Sequence, residues 1–414
     1  MAELDIATYT SAMKNFFEPI FERQYPEQTV MMDAAVVRID EKNVVGLDAL
    51  IAVEWLSWAG AAAAPEGAEI VNPAPGRYGQ VQVPMRYHYG AMRLTGPAIE
   101  ATKNDAGAFA PAHAREAMHM INVFHRHENR MACGDGSGVL CMTAGAPSGN
   151  TIAVDNAFGI THTTNGDMFL SQDVEIDIYS AKTGGSLRGS CTIVSVAPST
   201  SSSDPADITV DAMPDGVENN DYIFLKGARG IEPMGLLGIV DTSDFVGTLQ
   251  GQAYAANNQW GAQKIQGATA GTVEALTRSR LMRLRQRIIY RGGGKSEFMI
   301  SNPDVQTAYA DMCDANNIKV NTVKLDAGWE GVEWMGMPWL ADQYFPPYRV
   351  MEIDPSLLRR YQMMPAHWLD RGTGVLKQVG RTDMWEQQYG HYLEWGTRRR
   401  AGCGVLEDIE VIAM

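Results

Sequence analysis

Cysteine is scarce in this 414-residue chain, and its few copies lack the spacing of a paired site. The cysteines are Cys133, Cys141, Cys191, Cys313 and Cys403. Their number is odd, and no Cys-x-x-Cys pair occurs. The pattern argues against a disulfide framework or a zinc or redox motif, and we expect reduced, buried thiols in a cytosolic protein.

Basic side chains are also in short supply. The chain has 34 Lys and Arg residues against 49 Asp and Glu residues, so its formal net charge is −15 at pH 7. Binding DNA by phosphate neutralisation needs clustered Lys and Arg, so this charge argues against a nucleic-acid-binding protein of the usual kind. The arginines within 278–287 could contact phosphates or pair with acidic residues of a neighbour. The acidity of the chain favours a neighbour or solvent.

Long hydrophobic runs are absent as well. The most apolar region, 45–64, is interrupted by Asp48 and Glu54, whereas a membrane-spanning helix needs about 20 apolar residues. The first five residues, Met1–Asp5, lack the basic start and apolar run of a signal peptide. We expect neither a membrane span nor a secretion signal.

Motifs of catalysis and cofactor binding are missing or incomplete. Residues 292–296 (GGGKS) match the end of a phosphate-binding loop, but Ile289 stands where glycine is needed, and a helix precedes the segment where a strand should. Asp135 occupies the glycine position that a nucleophile elbow around Ser137 would require. We predict no catalytic residue and no bound cofactor.

Histidines crowd one segment, at His113, His119, His125 and His127. No pair among them has the i, i+4 spacing that places two zinc ligands together on a helix. We predict no metal site and a histidine-rich face turned to solvent or to an interface.

The composition that is present, 45% apolar and 20% charged residues, is typical of an ordered globular protein with two or three domains. Segment 111–138 organises the rest. Its spacing predicts a helix from Pro111 to Cys133, about 34 Å long, which Gly134 ends. The apolar stripe of this helix is Ala117, Ile121, Phe124 and Met131.

Strand patterns occur on both sides of this helix. Residues 81–89 alternate between apolar and polar side chains after the Gly/Pro-rich 61–79, which predicts a long hairpin that needs a surface to lie on. Short strands with intervening turns in 167–230 predict a small inserted β-barrel or sandwich. Residues 139–160 are interpreted as a Gly/Ala-rich link.

Further helices are predicted at 272–290 and after Asn302, which suits an N-cap. Residues 3–24 predict an amphipathic helix with Phe16 and Phe17 on its apolar side. This helix would pack either on a neighbouring copy of the chain or on its own domain.

Two regions carry a family resemblance. Asn129-Arg130, a three-residue spacer and Gly134 to Leu140 resemble the end of the spine helix in major capsid proteins of tailed double-stranded DNA phages. Residues 93–109 resemble the lead-in to that helix. The order of a strand, an Asn-Pro helix, a Gly-x-Pro strand and a short strand within 298–355 resembles the axial domain of the same proteins.

The resemblance implies an α+β tailed-phage major capsid fold, shared with encapsulins. It implies a peripheral domain with the spine helix, an axial domain, an N-terminal arm, an extended β-hairpin loop and a small inserted β-module. The corresponding ranges are 1–45 for the arm, 46–95 for the extended loop, 96–140 with 384–414 for the peripheral domain, 141–383 for the axial domain and 165–232 for the module.

The function implied is structural, without enzyme activity. Copies of the chain would form pentamers and hexamers of an icosahedral head in the host cytoplasm, around double-stranded DNA held without sequence-specific contacts. Portal and decoration proteins would be partners. No long scaffolding segment precedes the arm, so the alternatives are a separate scaffold protein or numbering that begins after processing.

Contact with other copies is expected from the arm and from the extended loop. The candidate residues are Phe16, Phe17, Arg77, Tyr78, Arg86, Tyr87 and Arg93. The alternatives are a hairpin folded on its own domain, an encapsulin-like shell for protein cargo, and a ligand-binding protein that uses the β-module.

Overall fold

The computed structural model describes residues 30–32, 40–56, 60–69, 72, 75–101, 112–161, 166–199, 204–240, 246–255, 257–267, 272–316, 322–324, 330–370, 372 and 374–411. These residues form two compact units. One unit contains the described parts of Tyr89–Phe124 and His367–Tyr389, and the other those of Thr29–His88, His125–Ala366 and Gly390–Met414.

The α-helices are α1 (Gly96–Ala101), α2 (Ala112–Cys133), α3 (Leu236–Val240), α4 (Arg278–Arg287) and α5 (Pro303–Ala315). The strands are β1 (Asp40–Asn43), β2 (Asp48–Leu56), β3 (Arg77–Pro84), β4 (Arg86–Thr95), β5 (Val139–Thr143), β6 (Thr151–Asp155), β7 (Glu175–Tyr179), β8 (Leu187–Ala197), β9 (Ala206–Val210), β10 (Tyr222–Leu225), β11 (Thr248–Leu249), β12 (Gln252–Ala253), β13 (Gln263–Ile265), β14 (Phe298–Ser301), β15 (Thr322–Lys324), β16 (Glu330–Trp334), β17 (Met337–Ala341), β18 (Val350–Ile353), β19 (Leu358–Trp368), β20 (Leu376–Gln378), β21 (Met384–Thr397) and β22 (Gly404–Leu406).

Helix α2 is the predicted spine helix. Phe124 and Met131 of the predicted apolar stripe are buried, and the last turn lies wholly in the interior. The Gly134 N–H donates to Met131 O at 3.1 Å and so closes the helix where the sequence predicted its end. No helix in the described part of the chain combines the length and the apolarity needed to cross a membrane.

A five-stranded sheet has the order β1-β19-β21-β20, and β4 also pairs with β21. Strand β1 runs parallel to β19, from Asp40 opposite Arg359 to Asn43 opposite Gln362. Strands β3 and β4 confirm the alternation that the sequence shows around residues 81–89.

The predicted hairpin is formed by β2 and β3, which pair antiparallel from Asp48 opposite Pro84 to Leu56 opposite Arg77. Its inner face lies on the chain's own core, because Val81 and Val83 are fully buried and Trp55 meets the Trp260 ring edge-to-face at 5.5 Å. One face of the hairpin is therefore covered by its own unit, which agrees with the alternative prediction of a hairpin folded on its own domain. The opposite face is open.

Strands β5 to β10 close into a barrel in the order β10-β5-β6-β9-β8-β7. Four of these strands lie within the module predicted at 165–232, and two lie in 139–160, where the sequence suggested only a link. Every residue of β5 is buried, so no alternation marks it as a strand, and most of the Gly and Ala residues belong to the turn before β6. The barrel core is aliphatic and consists mainly of Ile152, Ile176, Ile178, Ile193, Ile208 and Ile223.

A seven-stranded sheet has the order β13-β22-β18-β14-β17-β16-β15. The predicted cap of α5 is confirmed, since Asn302 Oδ1 accepts from the Asp304 N–H at 3.1 Å and Pro303 takes the first position. Helix α4 begins later than predicted because Thr277 caps it and Glu274 pairs with Ile409. The terminal strand β22 pairs with β13 and β18 in this sheet, and not with β21.

Candidate functional site

The buried end of α2 holds a carboxylate surrounded by histidines. Glu128 Oε1 lies 2.5 Å from His391 Nδ1 and 3.6 Å from His88 Nδ1, and Glu128 Oε2 lies 3.5 Å from His125 Nδ1. Burial raises the pKa of Glu128, but the three histidine rings around the carboxylate outweigh burial and hold that pKa well below its usual range. Glu128 therefore remains a carboxylate and joins α2 to β4 and β21.

The neighbouring histidine behaves differently. Burial, with smaller contributions from Arg130, His88 and Arg126, lowers the pKa of His127 to about 3, so its ring is neutral at pH 7. His119 is exposed, as expected for a face turned to solvent or to an interface, whereas His127 is only partly accessible. The spacing of the histidines could not reveal this difference, because it depends on which parts of the chain surround the end of the helix.

No group of three or more His, Cys, Asp or Glu side chains in the described ranges is arranged to hold a metal ion. The side chain of His113 lies outside the described residues.

Asn129 connects three distant parts of one unit. Its Oδ1 accepts from the Met31 N–H at 2.9 Å, and its Nδ2 donates to Asp342 Oδ2 at 2.8 Å. Asn129 is fully buried, and Met31 and Asp342 are almost so. Burial raises the pKa of Asp342 to about 6. The asparagine therefore fixes the residues that follow the N-terminal segment against the core of the unit.

The glycine-rich motif after α2 is a tight turn held by a carboxylate. Asp135 Oδ1 accepts from the Ser137 N–H at 3.0 Å and from its hydroxyl, while Lys182 pairs with Asp135 Oδ2. Gly136 and Gly138 have φ of 77° and 82°, and a Cβ on Gly138 would lie 2.9 Å from Ala228 O. This motif, which carries the family resemblance, joins the helix to the barrel, and Ser137 serves in the turn.

The open face of the hairpin region is the second candidate site. Tyr78 is 74% exposed, and the apolar side chains of Val45, Leu47 and Leu50 stand beside water as well. Singly exposed apolar residues are ordinary, but four of them on the hairpin and on the segment that leads into it are typical of an interaction surface. Tyr78 is among the contact residues predicted from the sequence, but the three aliphatic residues are not, because Val45 and Leu47 precede β2 and carry no strand pattern.

The other predicted contact residues are distributed unevenly. Arg77 is exposed, and Tyr87 is half exposed against the ring of Tyr392 at 4.8 Å. Arg86 Nε lies 3.7 Å from Glu394 Oε2, and Arg93 Nε pairs with Glu386 at 2.5 Å. Arg77 and Tyr78 thus remain open, whereas Arg86 and Arg93 already have carboxylates of their own chain nearby.

The remaining two candidates, Phe16 and Phe17, lie outside the described residues.

The arginines of α4 play mixed roles. Arg280 donates to Glu407 O at 2.8 Å and to Glu274 O at 3.0 Å, and Arg287 donates to Lys264 O. These two side chains hold backbone carbonyls of their own unit. Arg278 and Arg283 are exposed, and so accessible to a neighbour or to solvent.

Glu394 gives a pH-dependent prediction. Burial raises its pKa to about 8, although its Oε1 accepts from the N–H groups of Met234 and Trp395. A raised native pKa stabilises the fold fully below the unfolded value of about 4.5, and this contribution is lost as the pH rises through 8.

We expect Glu394→Gln to remove this dependence, because glutamine keeps the accepting oxygen and stays neutral. In thermal melts the variant should match the wild type near pH 5 and melt at a higher temperature at pH 9. The corresponding difference in the free energy of unfolding at pH 9 should be on the order of a few kcal/mol. Parallel melting curves across this range would contradict the assignment of the buried acid.

Comparison with known proteins gives a match in fold. No family model and no curated protein matches the sequence. The capsid of cyanophage A-1(L) is similar with a TM-score of 0.60 at 12% identity, covering 98% of this chain and 99% of that one. The capsid of an empty GTA particle has a TM-score of 0.56 at 12% identity, covering 99% and 100%.

An encapsulin complex of Synechococcus elongatus is similar with a TM-score of 0.50 at 10% identity, covering 100% of this chain and 98% of that one. The chain therefore has the α+β fold of tailed-phage capsid proteins and encapsulins, as its sequence predicted.

Proposed function

We propose that this protein is the structural subunit of a tailed-phage head. Copies of the chain assemble as pentamers and hexamers into an icosahedral shell that encloses double-stranded DNA. The observation that carries the proposal is the match in fold to phage capsid subunits over nearly the whole length of both chains. The exposed apolar face of the hairpin supports it, because such a face is best buried against another copy.

The charge of the chain fits a container better than a DNA-binding protein. At −15 the subunit would repel phosphates, so the shell would enclose the genome without fixing it at defined places. A separate scaffold, a portal and decoration proteins are the partners of such a shell, which would form in the host cytoplasm. The domain ranges given above are proposed as its peripheral, axial, arm and loop parts, except that the inserted module also includes β5 and β6 and that β22 joins the seven-stranded sheet.

Electron microscopy of the purified protein, with and without a co-expressed scaffold candidate, tests the proposal. We expect closed particles with fivefold vertices, built from this chain. Particles isolated from infected cells should contain nuclease-protected DNA. Protein cargo in place of DNA would favour an encapsulin-like shell, and a monomer under all these conditions would contradict the shell function.

A further inference from the structure

A cavity of about 410 Å³ lies beside the base of the hairpin. Its wall includes Pro84 of β3, Arg86 of β4, Gln250 between β11 and β12, and Glu394 of β21. This volume is within the range of about 300–1,000 Å³ that ligand pockets occupy. All of these residues belong to one compact unit, so the cavity is a feature of that unit alone.

Gln250 is the unusual member of the wall. It is only 9% exposed, yet neither its Nε2 nor its Oε1 has a hydrogen-bond partner in the described part of the chain. A buried amide without partners costs roughly 1–3 kcal/mol, so such a group calls for an explanation. A side-chain amide offers one donor group and one acceptor, which is the pattern of a peptide bond.

The backbone holds Gln250 firmly in place. Gln250 and Gly251 form the two-residue turn between β11 and β12, with φ of 52° and 78°. The Gln250 carbonyl accepts from the Gln82 N–H at 3.0 Å, and Gln252 Nε2 donates to Gln80 O at 3.1 Å. A left-handed conformation is uncommon for glutamine, and the fastening to β3 keeps the side chain at the cavity.

The charges at the cavity favour a ligand with an acidic side chain. Arg86 is partly exposed, its Nε makes no hydrogen bond to any described residue, and Glu394 Oε2 lies 3.7 Å from that Nε. Burial raises the pKa of Glu394 to about 8, so this carboxyl is mostly protonated at pH 7. Glu232, the other acid of the wall, is already paired with Arg130. Arg86 can therefore form an ion pair with an acidic side chain that enters the cavity.

We propose that this cavity is a docking site for a polypeptide segment of a second copy of the chain, whose peptide group pairs with the Gln250 amide and whose acidic side chain faces Arg86. A second copy fits for two reasons. The chain carries an excess of acidic residues, and the same strand β3 that lines the cavity also bears the exposed Tyr78. The inference rests on the proposed shell function and names one interface within it.

The first test is a cryo-electron microscopy map of the assembled wild-type particle. We expect the cavity to contain main chain of a neighbouring copy, with a peptide group within about 3.5 Å of the Gln250 amide. A cavity that is empty, filled with water, or occupied by a different protein or by the same chain would overturn the inference. If no particles form at all, the proposed function fails first, so the two failures are distinguishable.

The second test compares Gln250→Met with Gln172→Met. Both change a glutamine to an apolar residue of similar length, but Gln250 lines the cavity, whereas Gln172 is exposed before β7 and does not line it. We expect Gln250→Met to raise the protein concentration for half-maximal assembly by about tenfold, and Gln172→Met to leave it within about twofold. Equal assembly of Gln250→Met and wild type would overturn the inference. If Gln250→Met does not fold, the map of the wild-type particle decides.

Discussion

Asn129→Asp should unfold the subunit under conditions in which the wild type is stable. The new carboxylate would face Asp342 across the 2.8 Å that now separates Asn129 Nδ2 from Asp342 Oδ2, in a fully buried position. Two like charges cannot both be ionised at such a distance, and an uncompensated buried charge costs about 3–5 kcal/mol. Urea denaturation of unassembled subunits at pH 7.5 would measure the loss.

The pH dependence identifies the cause. A pair of carboxyls that shares one proton has a native pKa above its unfolded value of about 3.9, so its penalty is absent at low pH and grows as the pH rises. Asn129→Asp should therefore recover much of its stability near pH 4.5.

Asn219→Asp is the matched control. The Asn219 side chain is exposed and accepts from the Gly145 N–H at 2.7 Å through an oxygen that aspartate retains. Its stability should stay within about 0.5 kcal/mol of wild type. A loss in Asn129→Asp that does not change with pH would show that packing, and not charge, is responsible.

Assembly should fail in the double variant Leu50→Asp/Tyr78→Asp while the subunit stays folded. Both side chains point into water in the single chain, so the substitutions remove no core contact. In the proposed shell they would place two carboxylates in the apolar contact that we infer for this face. With about 2 kcal/mol lost at each interface anchor, the association constant should fall by more than about a hundredfold.

Light scattering of subunits at increasing concentration would show the loss, and circular dichroism would show that the fold survives. Leu187→Asp is the control, because Leu187 is an apolar residue of the barrel with 50% exposure, far along the chain from the hairpin. It should assemble as the wild type does. If the double variant formed normal particles, the open face of the hairpin would not be part of the contact between subunits.

The long helix and the turn after it could be predicted because local rules determine them. The apolar spacing and Gly134 predict the buried face and the end of α2 within one segment of sequence, whereas the predicted start at Pro111 lies outside the described residues. Asn302 and Pro303 likewise fix the start of α5, and structure and sequence agree there. By contrast, strand β5 was not predicted from the sequence, because a strand that is buried on both sides has no alternating pattern of apolar and polar residues.

The buried polar cluster could not be predicted for a different reason. His88, Glu128 and His391 are far apart in the sequence, and only the folding of the chain around the end of α2 brings them together. The buried amide of Gln250, which has no partner among the described residues, could not be predicted either, because a glutamine in a two-residue turn is expected to face solvent. Long-range contacts, and not local propensity, decide both sites.

The closed barrel also determines where another domain could be inserted into the chain. Its first strand pairs with its last, Val139 opposite Phe224, so the polypeptide enters and leaves the module at neighbouring positions. A cross-strand pair of this kind has Cα atoms about 5 Å apart. We therefore expect a foreign domain with similarly adjacent ends to be tolerated at this junction.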